Sequence, residues 1–217
     1  MRPQFDLSLY LVTDSSLTRG RKLEDVVEEA AKGGVTIVQL REKELPTGEF
    51  IDTARRIKAI LDQYSVPLII NDRVDVALAV DAAGVHIGQS DMSYSDARRL
   101  LGEDKIIGLS VETFDEVIAS NALDVDYIGI SPIFQSTTKT DTLSPFGIEG
   151  CRKAVEATTH RTVAIGGINL SNLEACFSTG IEGVALVSAI ISAKCPYSAT
   201  QKLREAIMRY KSADLNL

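Results

Sequence analysis

The chain has 217 residues, 45% hydrophobic and 24% charged, which supplies enough apolar mass for a substantial core and enough charge for a solvated surface. Its 23 basic and 30 acidic residues leave a net charge of −7, which argues against a nucleic-acid or anionic-membrane footprint, since either needs a basic surface. No apolar stretch reaches the roughly 18 residues of a membrane span, the N-terminus MRPQFDLSLYLVTD lacks the basic head and long apolar run of a signal peptide, and Cys151, Cys176 and Cys195, without metal-ligand spacing, read as reduced, space-filling thiols of a cytoplasmic protein.

Two patterns alternate along the chain. Leu7–Thr13 is strand-like and ends on Asp14; Leu23, Val26, Val27, Ala30 and Ala31 then recur at helical spacing, and Gly33-Gly34 closes that helix. Thr36–Leu40 is a second strand, ending on Arg41-Glu42-Lys43, and a helix follows Thr47 with Phe50, Ala54, Ile57 and Leu61 on one face. Pro67 precedes a third apolar run, Leu68–Ile70, which stops on Asn71-Asp72-Arg73 before a short helix over Val74–Val80. Val85-His86-Ile87 is a brief fourth strand running out at Gly88-Gln89-Ser90-Asp91, and Tyr94, Ala97, Leu100 and Leu101 mark the next helix. Ile106–Leu109 is a fifth strand ending on Ser110, followed by a helical face of Phe114, Val117 and Ile118. Tyr127–Ile130 is a sixth, opening into a long polar loop, Ser131–Pro145, and then a helix from about Ile148 to Ala157. Thr162–Ile165 ends on Gly166-Gly167, with Leu173, Cys176 and Phe177 marking its helix. Gly183–Val187 ends on Ser188, and Leu203, Ala206, Ile207 and Tyr210 give the last helix.

Eight strand-then-helix units predict a parallel sheet, and eight closing on themselves predict a single α/β domain over residues 1–217, a (β/α)₈ TIM barrel. A doubly wound open sheet is the alternative; Asp14-Ser15-Ser16 stands where its Gly-rich fingerprint would follow the first strand. In a barrel the ends of all eight strands share one mouth, so the polar residues at those ends converge.

Four clusters lie there. Asp72 and Asp91 follow the third and fourth strands. One Asp before a helix is more often an N-cap than a metal ligand, but two on adjacent strand ends, facing one mouth, suit Mg²⁺ completed by phosphate oxygens. With only two histidines, His86 and His160, an imidazole-rich zinc or iron site does not fit; His86 reads as packed core and His160 as a surface residue on the far side. Arg41 and Lys43 follow a strand whose last residues, Gln39-Leu40, point into the mouth, and Arg73 and Lys139 add charge; these are either solvated surface cations or the holders of a polyanion. Gly166-Gly167 with Ser188-Ala189-Ile190-Ile191 is either a tight turn beside a short helix or a backbone phosphate site of the kind barrels build after strands seven and eight. Ser136-Thr137-Thr138-Lys139 is a flexible polar loop or a lid. Two anion sites and a metal site in one mouth fit group transfer with diphosphate as the leaving group, for which charge neutralisation and alignment matter more than a strong base.

The motifs LYLVTD (Leu9–Asp14), QLREK (Gln39–Lys43), INDRVDVALAVDAAGVHIGQSD (Ile70–Asp91), GLSVET (Gly108–Thr113), STTK (Ser136–Lys139), AIGGI (Ala164–Ile168) and GVALVSAI (Gly183–Ile190) occur in this order. With them the chain resembles the thiamine-phosphate synthase family over nearly its whole length. The resemblance implies a Mg²⁺-assisted transferase that joins 4-amino-2-methyl-5-(diphosphooxymethyl)pyrimidine to a thiazole phosphate, carboxylated or not. It also implies roles. Gln39, Leu40, Arg41, Glu42, Lys43 and Asn71 would hold the pyrimidine diphosphate, and Asp72 and Asp91 would ligate Mg²⁺. Ser110 and Lys139 would contact the pyrimidine diphosphate, with Arg41, Ser110 and Lys139 as the catalytic set. Ser136, Thr137, Thr138, Gly166, Gly167, Val187 and Ser188 would form the thiazole-phosphate site. The loop departs from the family's frequent GP…PTxTK pattern: Gln135 stands for a proline, and Ser136 for a threonine keeps the hydroxyl.

Competing readings are a thiazole tautomerase-like paralogue and a non-catalytic phosphometabolite-binding barrel. The first tends to lack the metal and diphosphate residues and to carry a histidine after the sixth strand; the second has no need of paired aspartates. Small-molecule substrates are the expected partners, and apolar outer helix faces are compatible with a homo-oligomer.

Overall fold

The structure, a computed structural model, describes residues 4–135 and 144–214, so Ser136, Thr137, Thr138 and Lys139 lie outside the described residues. Eight parallel strands follow one another around a closed barrel: β1 (Leu9–Val12), β2 (Ile37–Leu40), β3 (Leu68–Asn71), β4 (Gly84–Ile87), β5 (Ile106–Val111), β6 (Tyr127–Ile130), β7 (Thr162–Ile165) and β8 (Gly183–Leu186). The ladder that pairs Leu9 with Val184 and Leu11 with Leu186 returns β8 to β1 and excludes the open sheet. Around the barrel lie α1 (Leu23–Gly33), α2 (Thr47–Asp62), α3 (Val74–Ala79), α4 (Tyr94–Leu101), α5 (Phe114–Ser120), α6 (Gly147–Ala157), α7 (Leu173–Phe177), the one-turn α8 (Ser188–Ile191) and α9 (Pro196–Asp214). No described helix is long and apolar enough to cross a membrane.

Strand parity builds two cores. Successive side chains of a strand point to opposite faces. Tyr10, Val12, Ile37, Ile69, Ile106, Tyr127, Val163 and Ala185 fill the barrel interior with Leu7 below them. Their neighbours, among them Leu9, Leu11, Val38, Leu40, Leu68, Ile70, Val85 and Ile128, pack outward against the helices. Because both faces are buried, the strands carry continuous apolar runs rather than alternation. α1 buries the stripe that its spacing predicts, Leu23, Val26, Val27, Ala30 and Ala31, and stops at Gly34, whose φ of 101° lets its N–H return to the Ala30 and Ala31 carbonyls. α4 and α5 bury theirs only in part, since Ala97, Leu101 and Val117 are buried but Leu100, Phe114 and Ile118 are exposed.

Several strand bounds differ from expectation by one or two residues, β1 spanning only Leu9–Val12 and β3 reaching Asn71. β5 runs on to Val111, placing Ser110 inside the strand, because its ladder with β6 pairs Ser110 with Gly129 and Val111 with Ile130. β8 stops at Leu186, where Val187 leaves extended geometry to start α8.

The interior is closed by one large side chain. Tyr127 is fully buried, and it fits because Gly108, its ladder partner on β5, has no side chain: a Cβ there would lie 2.1 Å from the Tyr127 Cζ. Replacing Gly108 with alanine therefore overpacks the barrel and is expected to lower unfolding stability by about 1–3 kcal/mol. Gly48→Ala in the first turn of α2, where nothing lies within 4 Å of the new Cβ, is the control and should be neutral or stabilising by up to about 1 kcal/mol. Urea denaturation of the two variants checks the pair; equal midpoints would refute the packing account.

Candidate active site

A cavity of about 410 Å³ opens at the C-terminal ends of the strands. Such a volume suits a small molecule. Gln39 of β2, Asn71 of β3, His86 of β4 and Ser110 of β5 face it from one side, and Gly166, Gly167, Val187 and Ser188 from the other, with Arg41 beside them. The ladders explain the convergence: Asn71 pairs with His86 and His86 with Gly108, so inward-facing positions of adjacent strands stand at related heights.

Below the polar ring lies a buried hydrogen-bond chain. The Gln39 Nε2 donates to the Tyr10 hydroxyl at 3.0 Å, the Tyr10 and Tyr127 hydroxyls share a bond of 2.8 Å, Tyr127 meets His86 Nδ1 at 3.0 Å, and His86 Nε2 meets the Ser110 Oγ at 2.8 Å. Burial pushes the Tyr10 phenol well above its ordinary range and does the same to Tyr127, with the Tyr10 neighbour adding to the rise, so both keep their protons near neutral pH. His86 is thus core, as expected, and also part of the cavity wall.

The rim after β3 and β4 carries the paired acids. Asp72 adopts φ = 62°, a left-handed conformation that Asp tolerates better than most residues. The backbone fixes it there: the Asp72 N–H reaches the His86 carbonyl at 2.8 Å, and the Arg73 N–H reaches the Asn71 carbonyl at 2.7 Å. Arg73, not Asp72, takes the cap position of α3, which has no side-chain cap bond, so the Asp72 carboxylate is not spent on capping that helix. It accepts Lys43 Nζ at 2.5 Å. Asp91 accepts the Gly88 N–H at 2.7 Å, while Ser93 caps α4. Burial pushes the Asp91 carboxyl up, and its hydrogen bond with Asp72 adds to the rise. Two carboxyls pressed together, one partly desolvated, are a donor set for a hard cation. Among the described residues no group of three or more His, Cys, Asp or Glu side chains could hold a metal ion.

The cations separate into two kinds. Arg41 lines the cavity, its backbone N–H held by the Thr13 hydroxyl at 3.0 Å and its guanidinium 3.7 Å from Asp14. Arg73 is turned away: its Nε donates to Asp75 at 2.9 Å and its Nη2 to Thr47 at 2.9 Å, a half-exposed ion pair that braces α2 and α3. Two sequence expectations need correction or placement. The Leu40 side chain does not point into the mouth; it is fully buried in the layer between barrel and helices, because its parity is opposite to that of Gln39, which leaves only its backbone for a ligand. The Glu42 carboxylate accepts from the Ser15 hydroxyl at the rim, and burial pushes it up.

At the far wall Gly166 and Gly167 take φ values of 100° and 66°, and a Cβ on either would strike the chain after β6 (Pro132 at 2.9 Å, Phe134 at 2.8 Å). That chain runs along the end of β7, with Ile133 N–H on Ile165 and Phe134 N–H on Gly166. The Gly-Gly pair is therefore a packed turn and also a cavity wall, and the expected short helix, α8, stands beside it.

The cavity also takes Val12, Thr13, Ser131, Pro132, Gln135, Ile165, Ile168 and Asn169, which sequence reasoning did not select. Asn169 had a signal, a polar side chain directly after the Gly-Gly-Ile segment. Thr13 and Ser131 each follow a strand end and could have been read like Asp14. Tyr10 and Tyr127 had none, since polar-tipped aromatics in buried strands look like core.

The family model described as "Thiamine monophosphate synthase" matches residues 9–190. The chain is 52% identical over 201 residues to the thiamine-phosphate synthase of Albidiferax ferrireducens, covering 93% of this chain and 92% of the relative. It is 52% identical over 195 residues to that of Vibrio parahaemolyticus, covering 90% and 95%. A solved thiamine phosphate pyrophosphorylase from Pyrococcus furiosus superposes with a TM-score of 0.86 at 35% identity, over 94% of this chain and 96% of that one.

The two arginines at the mouth give a direct check. Arg41→Ala should weaken binding of inorganic diphosphate by about tenfold or more, as loss of a charge-assisted hydrogen bond of about 1.5–3 kcal/mol implies. Arg73→Ala should leave that affinity unchanged and alter stability by less than about 1 kcal/mol, the range of exposed ion pairs. Calorimetric titration reads both; equal losses would put Arg73 back in the anion site.

Proposed function

The chain belongs to the thiamine monophosphate synthase family, and we propose that it joins a pyrimidine diphosphate to a thiazole phosphate, releasing diphosphate and forming thiamine phosphate. The observation that carries this reading is the convergence of two unlike ends in one cavity. The β2–β5 side brings Gln39, Arg41, Asn71 and Ser110, with the Asp72–Asp91 pair and Lys43 at its rim; the β7–β8 side brings Gly166, Gly167, Val187 and Ser188. One end suits a metal-bound diphosphate and the other a phosphate monoester.

Asp72 and Asp91 would hold Mg²⁺, which would supply charge neutralisation for the departing diphosphate. Arg41 and Lys43 add fixed positive charge on the same side. The bond that breaks joins the pyrimidine methylene to the diphosphate oxygen, and its electron pair leaves with the diphosphate. The amino-substituted ring stabilises the resulting methylene cation. The thiazole nitrogen donates its lone pair to that carbon, and no proton transfer to a strong base is required. The protein's task is alignment: Gln39, Asn71 and Ser110 hold the pyrimidine, and the Gly166-Gly167 turn with Ser188 holds the phosphate of the thiazole so that its nitrogen faces the methylene. By resemblance Lys139 would neutralise charge on the leaving group, and Ser136, Thr137 and Thr138 would complete the thiazole-phosphate site.

Purified protein given both substrates and Mg²⁺ should release diphosphate and form thiamine phosphate in equal amounts. Binding of the thiazole phosphate without product would overturn the synthase reading. Asp72→Asn and Asp91→Asn should each lower kcat at least about tenfold, roughly 1.4 kcal/mol of transition-state stabilisation, with partial recovery at raised Mg²⁺. Wild-type rates with reduced thermal stability would instead make the two acids purely structural.

A further inference from the structure

Beneath the cavity, five side chains from five strands form one continuous hydrogen-bonded path: Gln39, Tyr10, Tyr127, His86 and Ser110. Its two ends line the cavity, and its middle is buried inside the barrel. We propose that Tyr10, Tyr127 and His86 are positioning residues that couple the orientation of the Gln39 amide to that of the Ser110 hydroxyl, so that the two cavity groups address the pyrimidine as one unit. The inference rests on the synthase reading above.

The reason is proton counting. A phenol has one proton to give, and a neutral imidazole has one donating and one accepting nitrogen. With the Gln39 Nε2 donating to Tyr10, the Tyr10 proton goes to Tyr127 and the Tyr127 proton to His86 Nδ1. The His86 Nε2–H then donates to Ser110 Oγ, which leaves the Ser110 proton for a ligand. The Gln39 carbonyl oxygen is left as an acceptor. Turning the amide over reverses every link: Ser110 must then spend its proton on His86, and the cavity loses its donor there while Gln39 turns its N–H₂ toward the ligand. Intermediate states leave two donors or two acceptors face to face in a low-dielectric interior, which is costly. The two ends therefore switch together, and the barrel interior holds a site in which an acceptor at Gln39 goes with a donor at Ser110.

The fold protects this arrangement. Gly108 and Gly129 flank the path without side chains of their own; a Cβ on Gly108 would meet the Tyr127 hydroxyl at 2.4 Å and one on Gly129 would meet the His86 ring at 3.2 Å. The Tyr127 ring packs against Tyr10 and His86 with centroids 5.9 and 5.5 Å away, so removing its hydroxyl leaves the packing in place.

The test is a double-variant cycle read by calorimetric affinity for the pyrimidine diphosphate with Mg²⁺ and no thiazole phosphate. Tyr127→Phe should weaken that affinity about tenfold in the wild-type background and less than about twofold in the Ser110→Ala background, because the path then has nothing left to orient. Tyr10→Phe should behave likewise against Gln39→Ala, which keeps the cycle readable if one tyrosine variant fails to fold. Affinity for the thiazole phosphate should not move in any of them. Equal losses in both backgrounds, or equal losses for both substrates, overturn the relay and leave the tyrosines as packing. A wild type that binds the pyrimidine diphosphate but forms no thiamine phosphate counts against the proposed function and leaves the cycle to decide the relay.

Discussion

Closing eight strands on themselves creates an interior that must be filled, and the way this barrel fills it governs the site above. The space next to β5 is taken by the Tyr127 ring, which is admitted only because Gly108 has no side chain. A phenol instead of a leucine at that place brings a polar tip into the core. A buried hydroxyl must find partners, and Tyr127 finds Tyr10 on one side and His86 on the other. The demand is passed outward until it reaches Gln39 and Ser110, which stand at the cavity. The floor of the site is thus the top of the core, and its polar groups are held by the packing of the barrel, not by surface loops.

The acidic balance of the chain makes the mouth a matter of local placement. With a net charge of −7, long-range attraction cannot bring in an anionic substrate, so cations must be set where they count. Arg41 is kept at the cavity by its backbone bond to Thr13 and by Asp14, and Lys43 is drawn to Asp72. Arg73, closest in sequence to the acids, is spent on Asp75 and Thr47 and contributes to the joining of α2 and α3. Charge near the site and charge serving the site are different things here, and only side-chain partners separate them.

Much of this was legible in the sequence. Eight apolar runs alternating with helical stripes, each run ending on polar residues, sufficed for the barrel and for bringing Asn71 together with Gly166, Gly167 and Ser188 around one cavity. What escaped has a common cause. In strands buried on both faces, alternation disappears, so inward and outward positions cannot be told apart from composition. Leu40 was therefore aimed at the mouth although it faces the helices, and nothing in the sequence marked Tyr10 and Tyr127 as facing the barrel axis. Arg73 escaped for another reason. One of its partners, Thr47, comes from the preceding unit, and contacts between units depend on how α2 and α3 pack.

Positive φ angles mark both ends of the cavity, and the residue types there differ for a chemical reason. At the β7 end the left-handed positions are Gly166 and Gly167. There the chain after β6 packs so closely that no Cβ is tolerated, and any contribution to an anion must come from backbone N–H groups. At the β3 end the left-handed position is Asp72. Glycine would relieve strain on the order of 1–2 kcal/mol, but it would remove the carboxylate that meets Asp91 and Lys43. The backbone bonds to His86 and from Arg73 to Asn71 hold Asp72 in place against that strain. Where the chain packs against the turn the left-handed positions are glycine; where a carboxylate faces a lysine and a second acid the side chain is kept and the strain accepted.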